Sequence, residues 1–241
     1  MNILLIAEKV SSLELPVNGE AGTHILQVFN AKLGDTIDIG VRNGPRGKAI
    51  IVRLNRNDVK LSIKWNQDHT NDLYPVGLLV GLSRPQTCRK ILEQASTLGV
   101  SSIDFFISDK SEPSYRDSKL WNTKEWEEKI QKGVEQAFCT YIPRCTIWSN
   151  LAECIESQCG DSYRIALDNY ESTGVLTSSG GKEESTHYLV AVGAERGWSD
   201  AERKQLRASE FLLLSLGDRV LRQETAVVVA IGQLVSQFWK S

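Results

Sequence analysis

The sequence predicts an α/β protein with a mostly parallel sheet, preceded by a small all-β domain. Three observations carry this. Beyond residue 74, apolar runs short enough for buried strands alternate with amphipathic segments of helical period. Residues 1 to about 70 instead hold short β-branched stretches separated by turn signals. The chain has 241 residues and 41% hydrophobic content, enough for two unequal domains. The expected boundaries are 1–70 for the β domain and 74–241 for the α/β domain.

In the first domain, Thr36–Val41, Ala49–Leu54 and Val59–Trp65 are the expected strands. Gly34-Asp35, Asn43-Gly44-Pro45 and Asn55–Asp58 supply the turns between them. In the second, Val76–Leu82 is a continuous apolar run suited to a parallel strand buried on both faces. Arg84-Pro85 opens a helix on which Cys88, Ile91, Leu92, Ala95 and Leu98 share one face, and Gly99 caps its end. Ile103–Ile107 is the next strand, Asn122–Phe138 a second helix, and Tyr163–Leu167, Tyr188–Val192 and Phe211–Leu214 are further strands. The glycine- and serine-rich stretch Ser172–Ser185 reads as a surface loop. A final helix, apolar on nearly every face, covers Ala226–Leu234.

Composition narrows the function classes. No apolar stretch approaches the roughly 18 residues of a membrane span, and the N-terminus lacks a signal-peptide layout, so a soluble cytoplasmic protein is expected. The five cysteines are odd in number and form no C-x-x-C, which favours buried reduced thiols over disulfides or zinc. No metal is expected. The net charge of −2 offers little general attraction to nucleic acid. Basic residues nevertheless concentrate at Arg42, Arg46, Lys48, Arg53, Arg56, Lys60 and Lys64, and a local patch is enough to attract phosphates. Asp35, Asp38 and Asp58 fall in the same stretch, so a strand face balanced by its own carboxylates stands as the alternative.

The chemistry concentrates in two loops. After the leucine-rich run, Gly217 opens a turn in which Asp218, Arg219, Arg222, Gln223 and Glu224 crowd between two apolar elements. Buried polar groups left unpaired cost about 1–3 kcal/mol each, so such a cluster marks either a set of internal salt bridges or a ligand site. Upstream, the strand ending at Val192 runs into Gly193-Ala194-Glu195-Arg196-Gly197, and Ser199-Asp200-Ala201-Glu202 then forms a capping box. Neither loop is a G-x-G-x-x-G or P-loop pattern.

Together, Gly193–Glu202 and Leu216–Ala226 resemble the C-terminal signature of the SPOUT-class RNA methyltransferases, and most closely the type that methylates uridine N3 in small-subunit ribosomal RNA. The family patterns are G-P-E-G-G-x-S/T-x-x-E and L-G-x-R-I/V-L-R-x-E-T-A. The second is matched at every fixed position, whereas the first departs at Ala194 and Arg196. Further similarity covers the segment His24–Asn30 with Leu33-Gly34-Asp35, the Ser83–Val100 helix and Glu135-Gln136-Ala137. The usual RNA-facing arginines are replaced by Gln27, Asn30 and the Phe138–Tyr141 stretch.

The resemblance implies an N-terminal PUA-like β-barrel that binds RNA and a C-terminal domain tied in a trefoil knot. It also implies S-adenosylmethionine as cofactor, small-subunit ribosomal RNA as substrate, and a homodimer with the site near its interface; the apolar Ala226–Phe238 stretch suits a helix buried between subunits, and equally one buried in a single subunit's core. Leu167, Val192, Gly193, Glu195, Gly197, Leu214, Leu216, Gly217 and Leu221 would hold the cofactor. Arg222, Glu224 and Arg219 would serve the reaction, Glu224 either holding the Arg222 guanidinium or accepting the N3 proton, and a purely structural Arg222–Glu224 salt bridge is the alternative. Arg42, Arg46, Lys48, Arg53 and Arg84 would contact RNA. An arginine at 196 would be strained if φ there were positive. Methylation of another RNA base, or cofactor-free RNA binding, remain open alternatives.

Overall fold

The computed structural model describes residues 2–28, 30–66, 71–177 and 187–239. The chain divides into two compact units, Met1–Asp72 with Val134–Ile142, and Leu73–Gly133 with Pro143–Ser241. Among the described residues, no helix is long and apolar enough to cross a membrane.

The first unit is a five-stranded sheet. Its elements are β1 (Leu4–Ile6), β2 (Ser12–Pro16), α1 (Glu20–Thr23) with a π-turn over His24–Val28, β3 (Thr36–Val41), β4 (Arg46–Leu54) and β5 (Asp58–Trp65). The strand order is β1-β3-β4-β5-β2. Only the β1–β3 pair is parallel; β3–β4, β4–β5 and β5–β2 run antiparallel. Alternation along β4 buries Ala49 and Ile51 and turns Lys48, Ile50 and Val52 to solvent. The inward set packs with Ile25, Ile39, Val59 and Leu61 into one core. Residues 134–142 join this unit through Ile3 N–H donating to Glu135 O (3.1 Å) and Asn43 N–H to Thr140 O (2.8 Å).

The second unit is a parallel sheet flanked by helices. In chain order it contains β6 (Tyr74–Gly81), α2 (Pro85–Thr97), β7 (Val100–Phe106), α3 (Lys119–Asn122), α4 (Glu125–Gln136), β8 (Arg144–Trp148) and α5 (Leu151–Glu156). There follow β9 (Tyr163–Leu167), β10 (Gly174–Val175), β11 (Tyr188–Val192), α6 (Asp200–Ala208), β12 (Leu212–Ser215) and α7 (Gln223–Val235). The order β10-β12-β9-β11-β6-β7-β8 is parallel throughout. β6 and β11 are the buried centre, and their unbroken apolar runs follow from having cover on both faces.

Four expectations are corrected. The leucine-rich strand, which the sequence places as a buried strand, is only partly buried, with Leu212 44% exposed; among the described residues its outer neighbour is the two-residue β10. The helix expected over Asn122–Phe138 is two, α3 and α4. The second begins with acidic Glu125, Glu127 and Glu128, which suit a helix N-terminus, and it stops before Phe138, whose φ is 55°. Strand β8 and helix α5 are additional elements, and the half-exposed β8 carries no apolar run to reveal it. Helix α7 starts at Gln223, three residues early, and packs on α2. Of the predicted Ser172–Ser185 loop, residues 178–185 lie outside the described residues; residues 172–177 include β10.

Candidate functional site

Parallel α/β sheets present their strand ends to a ligand where neighbouring connections diverge. Here the divergence falls at β9, with β11 on one side and β12 on the other. The loops after these three strands converge on a cleft of about 180 Å³.

Each loop is fixed by specific contacts. After β11, Gly197 N–H donates to Ala194 O (2.8 Å) and closes a tight turn. Trp198, 1% exposed, stacks on Phe106 and donates its indole N–H to Leu167 O (2.8 Å), tying this loop to the end of β9. Ser199 and Glu202 form the expected capping box that starts α6. After β9, Asp168 is 4% exposed. Its Oδ1 accepts from the N–H groups of Tyr170 (2.7 Å) and Glu171 (3.3 Å), and its Oδ2 from Arg203 Nε (2.5 Å). Burial pushes the Asp168 carboxyl up, but Arg203 and the two backbone donors outweigh it and hold it below its ordinary value.

In the loops after β11 and β12 the left-handed conformations fall on glycines, Gly197 at φ 71° and Gly217 at φ 96°. Arg196 is not among the non-glycine residues with positive φ, so the strain expected there is absent. Its substitution for glycine is therefore compatible with the turn.

Sequence reasoning missed Gln223. It is 6% exposed, and its amide Nε2 donates to Gly81 O (2.8 Å) and Gly193 O (2.7 Å), joining the ends of β6 and β11 to the first turn of α7. Its Oε1 is buried with no hydrogen-bond partner, and the residue lines the cleft. Asp168 and Trp198 were missed likewise.

Of the residues expected to hold a cofactor, Leu167, Val192, Gly193, Glu195, Gly197, Leu216 and Leu221 line the cleft. Leu214 and Gly217 lie outside its lining, Leu214 accepting from Asp168 N–H (2.9 Å). Of the expected reaction residues, Arg219 lines the cleft; Arg222 and Glu224 do not. Arg222 is the N-cap of α7 and offers no side-chain cap. The expected Arg222–Glu224 pair is replaced, since Glu224 binds Lys90 on α2 at 3.1 Å. Burial pushes the Glu224 carboxyl up, while its own backbone N–H, the Lys90 hydrogen bond and the Lys90 and Arg222 charges bring it below its ordinary value.

The expected RNA contacts are distributed between both units. Lys48 pairs with Asp38 (2.6 Å), Arg53 with Asp58 (2.9 Å) and Glu14 (3.3 Å), and Arg46 with Asp72. Much of the basic stretch of the first unit is thus balanced by carboxylates, and Arg42 is exposed. In the second unit Arg84 is 3.5 Å from Glu195, which also accepts from Thr87 (3.2 Å). Among the described residues no group of side chains is arranged to hold a metal ion. The thiols of Cys88 and Cys139 are pushed up to about 12, first by burial.

The profile of a family described as the RNA methyltransferase domain matches residues 70–235. Among curated proteins, the chain is 29% identical to ribosomal RNA small subunit methyltransferase E of Treponema pallidum, covering 90% of this chain and 84% of that protein. It is 26% identical to ribosomal RNA small subunit methyltransferase E 1 of Borreliella burgdorferi, covering 95% of each. In fold it is similar to the methyltransferase E of Neisseria gonorrhoeae solved with S-adenosyl methionine, with TM-score 0.80, 20% identity and 98% of each chain covered. A methyltransferase from Legionella pneumophila, solved with the same cofactor, gives TM-score 0.78 at 22% identity over 98% of this chain and 97% of that one.

Proposed function

Because this chain belongs to the RNA methyltransferase domain family, we propose that it methylates N3 of a uridine in small-subunit ribosomal RNA, with S-adenosylmethionine as donor. One observation carries this reading: three strand-end loops build one cleft in a chain whose relatives, over nearly its whole length, are named ribosomal RNA small subunit methyltransferase E.

The cleft suits such a cofactor. Leu167, Val192, Leu216 and Leu221 give it apolar walls for an adenine ring. Gly193, Glu195 and Gly197 would bring backbone groups to the ring's edge, with Leu214 and Gly217 supporting the third loop from outside the lining, and the unpartnered Gln223 Oε1 is a buried acceptor able to take an N–H. The cofactor supplies an electrophilic sulfonium methyl. The chain's own task is to align N3 of the uracil and favour its deprotonated imide. Negative charge then spreads to the flanking carbonyls, and Arg219, the guanidinium lining the cleft, is suited to stabilise it. Arg222 would support the same charge from the α7 N-cap. Glu224, held low and bound to Lys90, fits an anchor for the first turn of α7 better than a proton acceptor.

The finer architecture belongs to the same reading. The return of β12 to the outer side of β9, followed by α7 packing on α2, supports a trefoil-knotted domain over 74–241. The five-stranded sheet supports a PUA-like RNA-binding domain over 1–70, with Arg42, Arg46, Lys48 and Arg53 meeting phosphates, and with Arg84 adding a contact from the second domain. Half-buried Val228 and Val229 on α7 support a homodimer formed through that helix. A cytoplasmic enzyme acting on ribosomal RNA is the corresponding setting.

Nucleoside mass spectrometry of small-subunit ribosomal RNA tests the assignment. Cells lacking the gene should lose 3-methyluridine, and purified protein with labelled S-adenosylmethionine should restore it. An unchanged 3-methyluridine content with a different methylated base missing would establish another target.

A further inference from the structure

Tyr170 is 81% exposed and lines the cleft from the loop after β9. A side chain so exposed gains nothing from core packing, yet the backbone that carries it is held in place. Asp168 accepts from the Tyr170 backbone N–H at 2.7 Å and is itself bonded by Arg203 at 2.5 Å, with Asp168 and Arg203 only 4% and 7% exposed. The Arg203 guanidinium lies over the tyrosine ring, 5.8 Å from its centroid. A buried ion pair thus holds one exposed aromatic ring at the mouth of the site.

On the loop after β12, Val220 is 80% exposed and also lines the cleft, next to Arg219. The rim therefore offers an aromatic face, an aliphatic group and a guanidinium, the combination by which proteins recognise unstacked bases of single-stranded RNA. The cofactor's adenine is better served by the less exposed apolar walls at Leu167 and Val192. We propose that Tyr170 is the stacking platform for an RNA base presented at the cleft mouth, and so helps determine substrate specificity. This rests on the RNA methyltransferase reading above.

The test measures the full-length protein binding a uridine-containing single-stranded fragment of small-subunit ribosomal RNA, by fluorescence anisotropy, for wild type, Tyr170→Phe and Tyr170→Ala. Calorimetry with S-adenosylmethionine accompanies each. Loss of stacking should weaken RNA binding by Tyr170→Ala roughly 5- to 100-fold. Tyr170→Phe should stay within about twofold of wild type, since the ring face is kept, and cofactor affinity should not move in either variant. Equal RNA affinity for Tyr170→Ala and wild type would overturn the proposal. So would Tyr170→Phe binding RNA as weakly as Tyr170→Ala, which would assign the effect to the hydroxyl, or a loss confined to cofactor affinity. Failure of the underlying reading shows separately, as wild-type protein that transfers no methyl group to uridine, while the binding ratios still decide the role of Tyr170.

Discussion

Arg219 and Arg222 belong to one short motif, yet only Arg219 lines the cleft. Arg219→Ala should therefore lower kcat by roughly 10²–10³, the scale of losing one charge-stabilising donor, with cofactor affinity near wild type. Arg222→Ala should do less, and single-turnover methylation assays on both variants give the order. Gln223 makes a different contribution. Replacing it with leucine leaves the Gly81 and Gly193 carbonyls without their amide donor, which should destabilise the fold by about 2 kcal/mol in urea unfolding and weaken cofactor binding as well. Asp168 adds a pH signature. Its folded carboxyl titrates below the ordinary aspartate value of 3.8, so its stabilisation is fully present above 3.8 and is lost as pH falls through the lower folded value. The stability gap between wild type and Asp168→Ala, roughly 3 kcal/mol for breaking a buried pair, should be constant near neutrality and narrow below that point in acid denaturation.

Helix α7 shows how far single elements were legible. Its apolar composition announces a helix, but composition on nearly every face does not say which side meets the chain itself. Leu234 is fully buried within its own chain, so a charge there would report on folding; Val228 and Val229 remain half-buried. Val228→Asp combined with Val229→Asp should give monomers that stay folded, as read by light scattering and circular dichroism. A dimer of unchanged mass would move the interface off this face. β6 and β11 were legible because strands covered on both faces need unbroken apolar runs. The edge strand β8 was not, since one uncovered side admits a mixed sequence. In the site, the turn glycines were legible from their spacing. The Lys90–Glu224 pair was not, because it joins residues far apart in sequence; the expected partner Arg222 stands two positions away, and residues so spaced do not share a helical face. Gln223 looked like one more polar residue of a crowded turn, and only the meeting of β6, β11 and α7 gives its amide two carbonyls.

At the scale of the whole molecule, net charge −2 and a first unit in which Arg46, Lys48, Arg53 and Lys60 are paired with carboxylates describe a protein without a broad positive field. RNA affinity should still fall with salt. Replacing Arg46, Lys48 and Arg53 together with alanine should reduce the slope of log affinity against log salt by up to about 2, at roughly 0.7 per phosphate contact on a single strand. A smaller change would measure how firmly Asp38, Asp58 and Asp72 retain these cations, and an unchanged slope would place the RNA contacts elsewhere.

The strand order has a kinetic corollary. β12 and β11 pair with opposite flanks of β9, and Gln223, which joins β6 and β11 to α7, follows all of these strands in the chain. Parallel pairings between distant segments form slowly. The cleft is therefore finished only when the segment from Leu216 to Ala226 docks against the strand ends, so the ability to hold a ligand depends on that segment. Ligand-dependent protection from proteolysis should accordingly be absent from chains truncated before Leu216 and appear in chains that include α7.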